Sequence, residues 1–251
     1  MRRIDVNCDM GEIPDLIANG TQEALMPFLT SVNIACGGHA GDDSTMRATI
    51  EQAQRWNLAL GAHPGYPDRK NFGRLELEMP DDAVAATVFE QVTAFARMAE
   101  EMGAPVMHVK PHGALYNSAV NDAALANAIA EGVARWSREV ILVGLAGSPM
   151  LAVFQAAGFR VAAEAFADRR YEADGTLRSR RFGDSLITDP ELAAKQVIQI
   201  VERAMITAVD GTEVPLTAET ICIHGDNPGA VPIAAAVARA IGLDKSRSLH
   251  T

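Results

Sequence analysis

The chain has 251 residues, is 48% hydrophobic and carries a formal charge of −10. Length and apolar content suit one sizeable core, and an acidic balance without a basic stripe argues against nucleic acid or an anionic membrane surface as partner. Cys8, Cys36 and Cys222 lie in apolar runs without CxxC spacing, which predicts small core residues rather than a disulfide framework or a zinc ribbon. The opening MRRIDVNCDMGE has no apolar run of signal-peptide length, and no stretch of about 18 apolar residues follows. A cytoplasmic protein is the expectation.

In chain order, the run IDVNC sets Ile4, Val6 and Cys8 against Asp5, Asn7 and Asp9, the alternation of a strand. SVNIAC follows, with Asn33 between Val32 and Ile34. Asp43-Ser44 predicts the cap of a helix running toward Trp56, with Met46, Ile50 and Ala53 on one face. After the strand LALGAH, Pro80-Asp81-Asp82 opens a longer helix through Val84, Val88, Val92 and Phe95, closed near Gly103. The stretch VMHVKPHGALYN then puts His108, Lys110 and His112 on one strand face. Asn121-Asp122 opens a helix through Leu125, Ile129 and Val133, and VILVGL is the fifth strand. Ser148-Pro149 begins a short helix ending before Gly158. VAAEAFA is the sixth strand, with Glu164 and Asp168 on its polar parity. The following FADRRYEADGTLRSRRFGD reads as a hairpin or lid turning at Asp174-Gly175. Asp189-Pro190 starts another helix, TICIH is the seventh strand and leads to His224 and Asp226, and a last helix covers Ala230 to Ile241. The tail DKSRSLHT, 244–251, is expected to fray. No linker or composition break interrupts the series, so 1–251 reads as one domain.

Seven strands alternating with helices indicate parallel βαβ units. In an open sheet both faces meet helices, and mid-strand polar residues are rare. Here five strands carry a polar face toward their C-terminal halves. Burying those groups unpaired costs roughly 1–3 kcal/mol each, so they must face one another or a ligand. A closed β/α barrel whose lumen opens at the strand C-termini meets that need.

The strand ends supply Asp9 and Glu12, His39 and Asp42, His63 and Asp68, Lys110 and His112, Asp168 and Arg169, and His224 and Asp226. A lone histidine is most often structural; four of the six at these strand ends, with His108 on the same strand face as Lys110 expected to join them, point to a site. Glycine-rich loops in CGGHAGDD, GAHPGYPD and HGDNPGA let backbone N–H groups approach an anion. The lid holds Arg169, Arg170, Arg178, Arg180 and Arg181, which are either solvated or clamp a carboxylate or phosphate at the rim.

The segments VNCDMGE, SVNIACGGHAGD, GAHPGYPD with FGR, HVKPHGALYN, FADRRY and HGDNPGA, in this order from residue 5 to about residue 240, resemble the signature of the LamB/YcsF family. The resemblance implies a seven-stranded, distorted TIM-like barrel of the glycoside hydrolase/deacetylase type. It also implies the A component of an ATP-dependent 5-oxoprolinase, which works with the B and C subunits to turn 5-oxo-L-proline, ATP and water into L-glutamate, ADP and phosphate. Two departures stand out: Gly38, where the family often has a bulky residue, and the absence of a second arginine after Arg74.

On that reading the candidate catalytic residues are Asp9, His39, His63, Lys110, His112, Asp168 and His224. Lys110 is expected to contact a phosphate or developing oxyanion, the histidines to move protons, and Asp9 or Asp168 to act as base or orient a histidine. Asn7, Glu12, Asn33, Asp42, Arg74, Glu164, Arg169, Arg180, Arg181 and Asp226 are candidates for holding substrate or nucleotide. ATP, with Mg2+, is the implied co-substrate, although no GxxxxGK[ST] loop is present; self-association is compatible with the sequence. Two rivals stand beside this reading. One is a metal-dependent deacetylase or amidohydrolase using Asp9, His39 and His63 from three adjacent strand ends. The other is a non-catalytic subunit that binds a small carboxylate.

Overall fold

A computed structural model of the chain describes residues 4–243; the tail expected to fray lies outside the described residues. Seven parallel strands close a barrel in the order β1 (Asp5–Met10), β2 (Ser31–Ala35), β3 (Ala59–His63), β4 (Val106–Val109), β5 (Ile141–Leu145), β6 (Arg160–Phe166) and β9 (Thr220–Cys222). Closure is made by β9, which pairs with β6 at Glu164↔Thr220 and with β1 at Asp5↔Thr220. The barrel expected from the polar strand faces is therefore the observed architecture.

Helices cover the outside: α3 (Asp43–Arg55), α4 (Asp81–Glu101), α6 (Ala123–Ala134), α7 (Pro149–Ala156), α8 (Pro190–Arg203) and α9 (Ala230–Ala240). Their starts follow the expected chemistry. Asp122 and Asp189 accept hydrogen bonds from the first-turn amides of α6 and α8. The first of these helices begins one residue earlier than predicted in capping terms. Asp42, not Asp43, is the N-cap of α3, its carboxylate accepting from Thr45 N and its own N–H donating to Thr45 Oγ1, both at 2.9 Å.

Three short helices escaped the sequence reading: α1 (Pro14–Ala18), α2 (Thr21–Leu25) and α5 (Gly113–Ala119). At five to seven residues each, the apolar period has too little length to declare itself. An antiparallel ribbon, β7 (Met205–Thr207) with β8 (Glu213–Pro215), also adds to the α8–β9 connection.

The barrel interior is layered from polar groups that satisfy one another. At the bottom, the Asp5 carboxylate accepts from Thr30 Oγ1 (2.5 Å), Ser31 Oγ (2.8 Å) and Thr220 Oγ1 (2.6 Å). One layer up, Asn33 Nδ2 donates to Asn7 Oδ1 (2.7 Å), Asn7 Nδ2 donates to Glu164 Oε1 (3.1 Å), and His108 Nε2 lies 2.8 Å from Asn33 Oδ1. His108 fits because residue 61 is glycine: a Cβ there would overlap the imidazole. These pairings offset most of the penalty for burying polar groups, Glu164 Oε2 being left without a hydrogen-bond partner among the described residues, and leave the top layer as the site.

Candidate active site

The strand C-termini open into a cavity of about 800 Å³. At its base, Lys110 reaches from the end of β4 to Asp9 Oδ1 (2.9 Å) and Glu164 Oε1 (2.8 Å), with Cys222 Sγ at 3.2 Å. Burial disfavours the ammonium, but Asp9, Cys222 and Glu164 together hold its pKa well above the usual lysine value. Lys110 is therefore a fixed cation, not a base or nucleophile. Burial likewise raises the Asp9 carboxyl, yet the charges of His63 and Lys110 outweigh it and keep Asp9 well below the ordinary range. An anion so stabilised is a poor general base.

One wall is a histidine cluster. His63, ending β3, donates its Nδ1–H to the Lys110 carbonyl at 2.7 Å, and its Nε2 lies 3.3 Å from Asp9 Oδ2. Against burial, Asp9 and Glu12 raise its pKa. His112 was expected on the strand face, but β4 ends at Val109 and His112 is the N-cap of α5. The side chain still reaches the cavity: Nε2 donates to the Phe72 carbonyl (2.9 Å), and Nδ1 faces Glu12 Oε1 at 3.0 Å. His39 stacks on His112 with ring centroids 3.5 Å apart and planes at 3°, and its Nε2 lies 3.0 Å from the same Glu12 oxygen. Burial lowers His39 to about 4, against the pull of Glu12, so this ring is neutral near pH 7.

The opposite wall holds a carboxylate–imidazole pair. Asp168 is fully buried and its Oδ1 lies 2.9 Å from His224 Nδ1. Its Oδ2 accepts from His224 N (3.1 Å) and Asn227 Nδ2 (3.0 Å). Burial would raise Asp168, but the His224 charge and these hydrogen bonds lower it. The His224 ring lies nearly parallel to Phe166, centroids 5.4 Å apart. With Nδ1 donating to Asp168, Nε2 is the basic nitrogen, and a ring nitrogen of His224, an Asp9 oxygen and Cys222 Sγ lie within 4.8 Å of one another.

The mouth is cationic. Arg74, Arg169, Arg180 and Arg181 all line it. Asp226 ties two of them, with Oδ2 2.6 Å from Arg74 Nη2 and 3.5 Å from Arg180 Nη1. The expected hairpin forms, with Tyr171 bridging Leu177 and Gly175 at φ +83°. Arg178 is held by Glu172 and Asp184, and Arg169 donates to the Arg178 carbonyl at 2.7 Å. Burial and Arg180 lower Arg169 to about 10.

The structure thus gathers Asp9, Glu12, His63, Lys110, His112, His224, Arg74, Arg169, Arg180, Arg181 and Asp226 around one cavity, with His39, Glu164 and Asp168 directly behind it. Asn7 and Asn33 belong to the layer below. Asp42 is exposed and caps α3, so it leaves the ligand set. The trio expected for a metal hydrolase does not form as such: His39 and His63 group with Glu12 and His112, and Asp9 groups with Cys222 and His224. Tyr116 and Phe166 also line the cavity and were not anticipated. Burial and the neighbouring Glu164 carboxylate charge keep the Tyr116 phenol well above its usual pKa. Tyr116 lies on the unrecognised helix α5; the aromatic in FADRRY was the one available signal for Phe166. At Gly38, a side chain would meet Gln91, whose amide instead clamps Gly65 by accepting from its N–H (3.1 Å) and donating to its carbonyl (2.7 Å).

Comparison with known proteins agrees with this architecture. The sequence profile of the LamB/YcsF family matches residues 4–248. A protein of Chloroflexus aggregans, named as the A component of 5-oxoprolinase, is 50% identical over 237 residues, 94% of each chain. The protein of the same name from Methylococcus capsulatus is 46% identical over 233 residues, 93% of this chain and 90% of that one. The crystal structure of the lactam utilization protein from Thermus thermophilus superposes with a TM-score of 0.89 at 38% identity, covering 96% of both chains. A match across nearly the whole chain makes this protein a member of the LamB/YcsF family.

Proposed function

We propose that this chain is the A component of an ATP-dependent 5-oxoprolinase and that its cavity opens the lactam ring. The observation that carries the reading is Lys110, a buried permanent cation at the cavity base, facing an imidazole aligned by Asp168. The names of the relatives support the substrate class.

A lactam resists water because its nitrogen lone pair is delocalised into the carbonyl. A phosphoryl group transferred from ATP to the lactam oxygen makes the ring carbon electrophilic. His224 Nε2 takes a proton from water as its oxygen adds to that carbon. Lys110 stabilises the negative charge that collects on the oxygens. The ring C–N bond then breaks as the added hydroxyl gives up its proton and becomes the carbonyl, the nitrogen takes up that proton and the one held by His224, and an open-chain acyl phosphate results. A second water releases phosphate and leaves glutamate. Asp9 holds Lys110 and His63 in place, and the mouth arginines take the substrate carboxylate and the phosphoryl oxygens.

Those arginines suit anionic groups, while no phosphate-cradling P-loop is in the sequence. We therefore assign the nucleotide, with Mg2+, to a site formed with the B and C subunits. The test is reconstitution with both, following glutamate and ADP together. The isolated chain should release little glutamate, and the full set should form about one ADP per ring opened, since one phosphoryl group activates one lactam. Full ATP-coupled turnover by this chain alone, unaffected by the partners, refutes the reading.

A further inference from the structure

The histidine wall contains a geometry that the ring-opening scheme does not use. His63 commits its Nδ1 proton to the Lys110 carbonyl, and His112 commits its Nε2 proton to the Phe72 carbonyl. The two remaining ring nitrogens, His63 Nε2 and His112 Nδ1, lie 3.0 Å apart, and in the neutral rings both carry lone pairs that a cation in place of a proton would share. Glu12 Oε1 joins them, 3.0 Å from His112 Nδ1 and 3.7 Å from His63 Nε2. Three electron-pair donors converge on one small volume.

We propose that Glu12, His63 and His112 bind one divalent transition-metal ion of the zinc class, with an open position toward the cavity. Tetrahedral zinc with bonds of about 2.0–2.1 Å sets neighbouring ligand atoms about 3.3 Å apart, and the three observed separations of 3.0, 3.0 and 3.7 Å bracket that value. Two histidines and one carboxylate with a vacant fourth place is the composition of a catalytic rather than a structural zinc site. All three ligands line the cavity, so the fourth place faces substrate space. Asp9 Oδ2, 3.3 Å from His63 Nε2, adds negative charge beside the ion. Each ligand also has an outer partner that fixes its orientation, as metal ligands require: the two backbone carbonyls for the imidazoles, and His39 for Glu12.

His39 is the fourth member of the cluster, with all four donor atoms within 4.8 Å, but it serves as an orienting donor. Its ring lies parallel to that of His112 at 3.5 Å, so the in-plane lone pairs of the two rings do not converge on a common ion. A zinc-class ion here polarises a bound carbonyl or water.

The test uses the full chain without an affinity tag, stripped with chelator and titrated with Zn2+, Co2+ and Mg2+ in separate experiments. One equivalent of Zn2+ should bind more tightly than about 1 μM, Co2+ should give the visible bands of a low-coordinate site, and Mg2+ should give no signal at these concentrations. His63→Gln and His112→Gln should each weaken Zn2+ binding by about 100-fold or more, and His39→Gln by about tenfold. X-ray absorption on the zinc-loaded unmodified chain should count two imidazoles and no sulfur, which keeps the test valid if a variant misfolds. Absence of saturable Zn2+ binding overturns the proposal. So does affinity unchanged in both His63→Gln and His112→Gln, or a sulfur ligand, which would move the ion to Cys222. None of these readouts involves turnover, so they stand apart from the proposed 5-oxoprolinase activity.

Discussion

Lys110 Nζ lies 2.8 Å from Glu164 Oε1 in a place where neither side chain meets more than a trace of water, their exposures being 3% and 0%. With Asp9 as a third member, the group behaves as one electrostatic unit, and removing the cation strands buried carboxylates. Lys110→Met should therefore abolish glutamate release in the reconstituted enzyme and also cost about 3–5 kcal/mol of stability. Urea denaturation and turnover assays separate the two losses. The double variant Lys110→Met/Glu164→Gln should recover part of the stability and none of the activity. Recovery of turnover along with stability would remove Lys110 from the chemistry.

Asp168→Asn tests the carboxylate–imidazole pair. Oδ2 accepts two hydrogen bonds, from His224 N and Asn227 Nδ2, so an asparagine will put its oxygen there and turn its NH2 toward His224 Nδ1. That forces the proton onto Nε2 and leaves no basic nitrogen facing the cavity. The maximal rate should fall about 10³-fold or more, as wrong-tautomer variants do, with little change in the substrate requirement. A rate within a few-fold of the parent would assign the base to another group.

How much of this was legible in the sequence depends on the length of the signal. The barrel followed from Asp5, Asn7, Asn33, Glu164 and His108 recurring at strand parity, because a closed interior is the one place where such groups can pair. The site residues followed from strand ends, since the fold presents those positions to one cavity. Asp42 misled because an acid beside a glycine loop serves a helix cap as readily as a ligand, and only the Thr45 contact distinguishes them. Tyr116 was missed because a helix of seven residues has less than two full turns of apolar period. The Glu12–His112 contact was invisible because a turn, not strand alternation, delivers His112.

Acid stability has a determined sign. Asp168 is fully buried with its pKa depressed, net of burial, by His224 and its hydrogen bonds. A carboxyl with a folded pKa below its unfolded value of about 3.9 contributes stability that is fully present above that value and is lost as pH falls toward the folded one. The urea midpoint of the parent should therefore drop as pH is lowered from about 5 toward 3. Asp168→Asn should be less stable than the parent at pH 7, and the gap should narrow across that interval. A gap that is constant with pH would show that the Asp168 contribution is not ionic.

The mouth arginines make the last case, because geometry now separates them. Arg178 is neutralised by Glu172 and Asp184, whereas among the described residues Arg180 has one long 3.5 Å contact with a carboxylate, that of Asp226, and Arg181 donates to the neutral Ser179 hydroxyl at 3.2 Å. Arg180 and Arg181 thus keep unspent charge at the cavity while Arg178 does not. Replacing both with Gln should raise the 5-oxoproline or ATP requirement of the reconstituted enzyme about tenfold, the size of one charged hydrogen bond, and leave the maximal rate within a few-fold. That pattern marks binding felt equally in ground and transition states. Arg178→Gln, by contrast, should loosen the hairpin and not discriminate between substrates. Requirements unchanged in the Arg180/Arg181 double variant would mean that these side chains are simply solvated, and would leave Arg74 and Arg169 as the anion contacts.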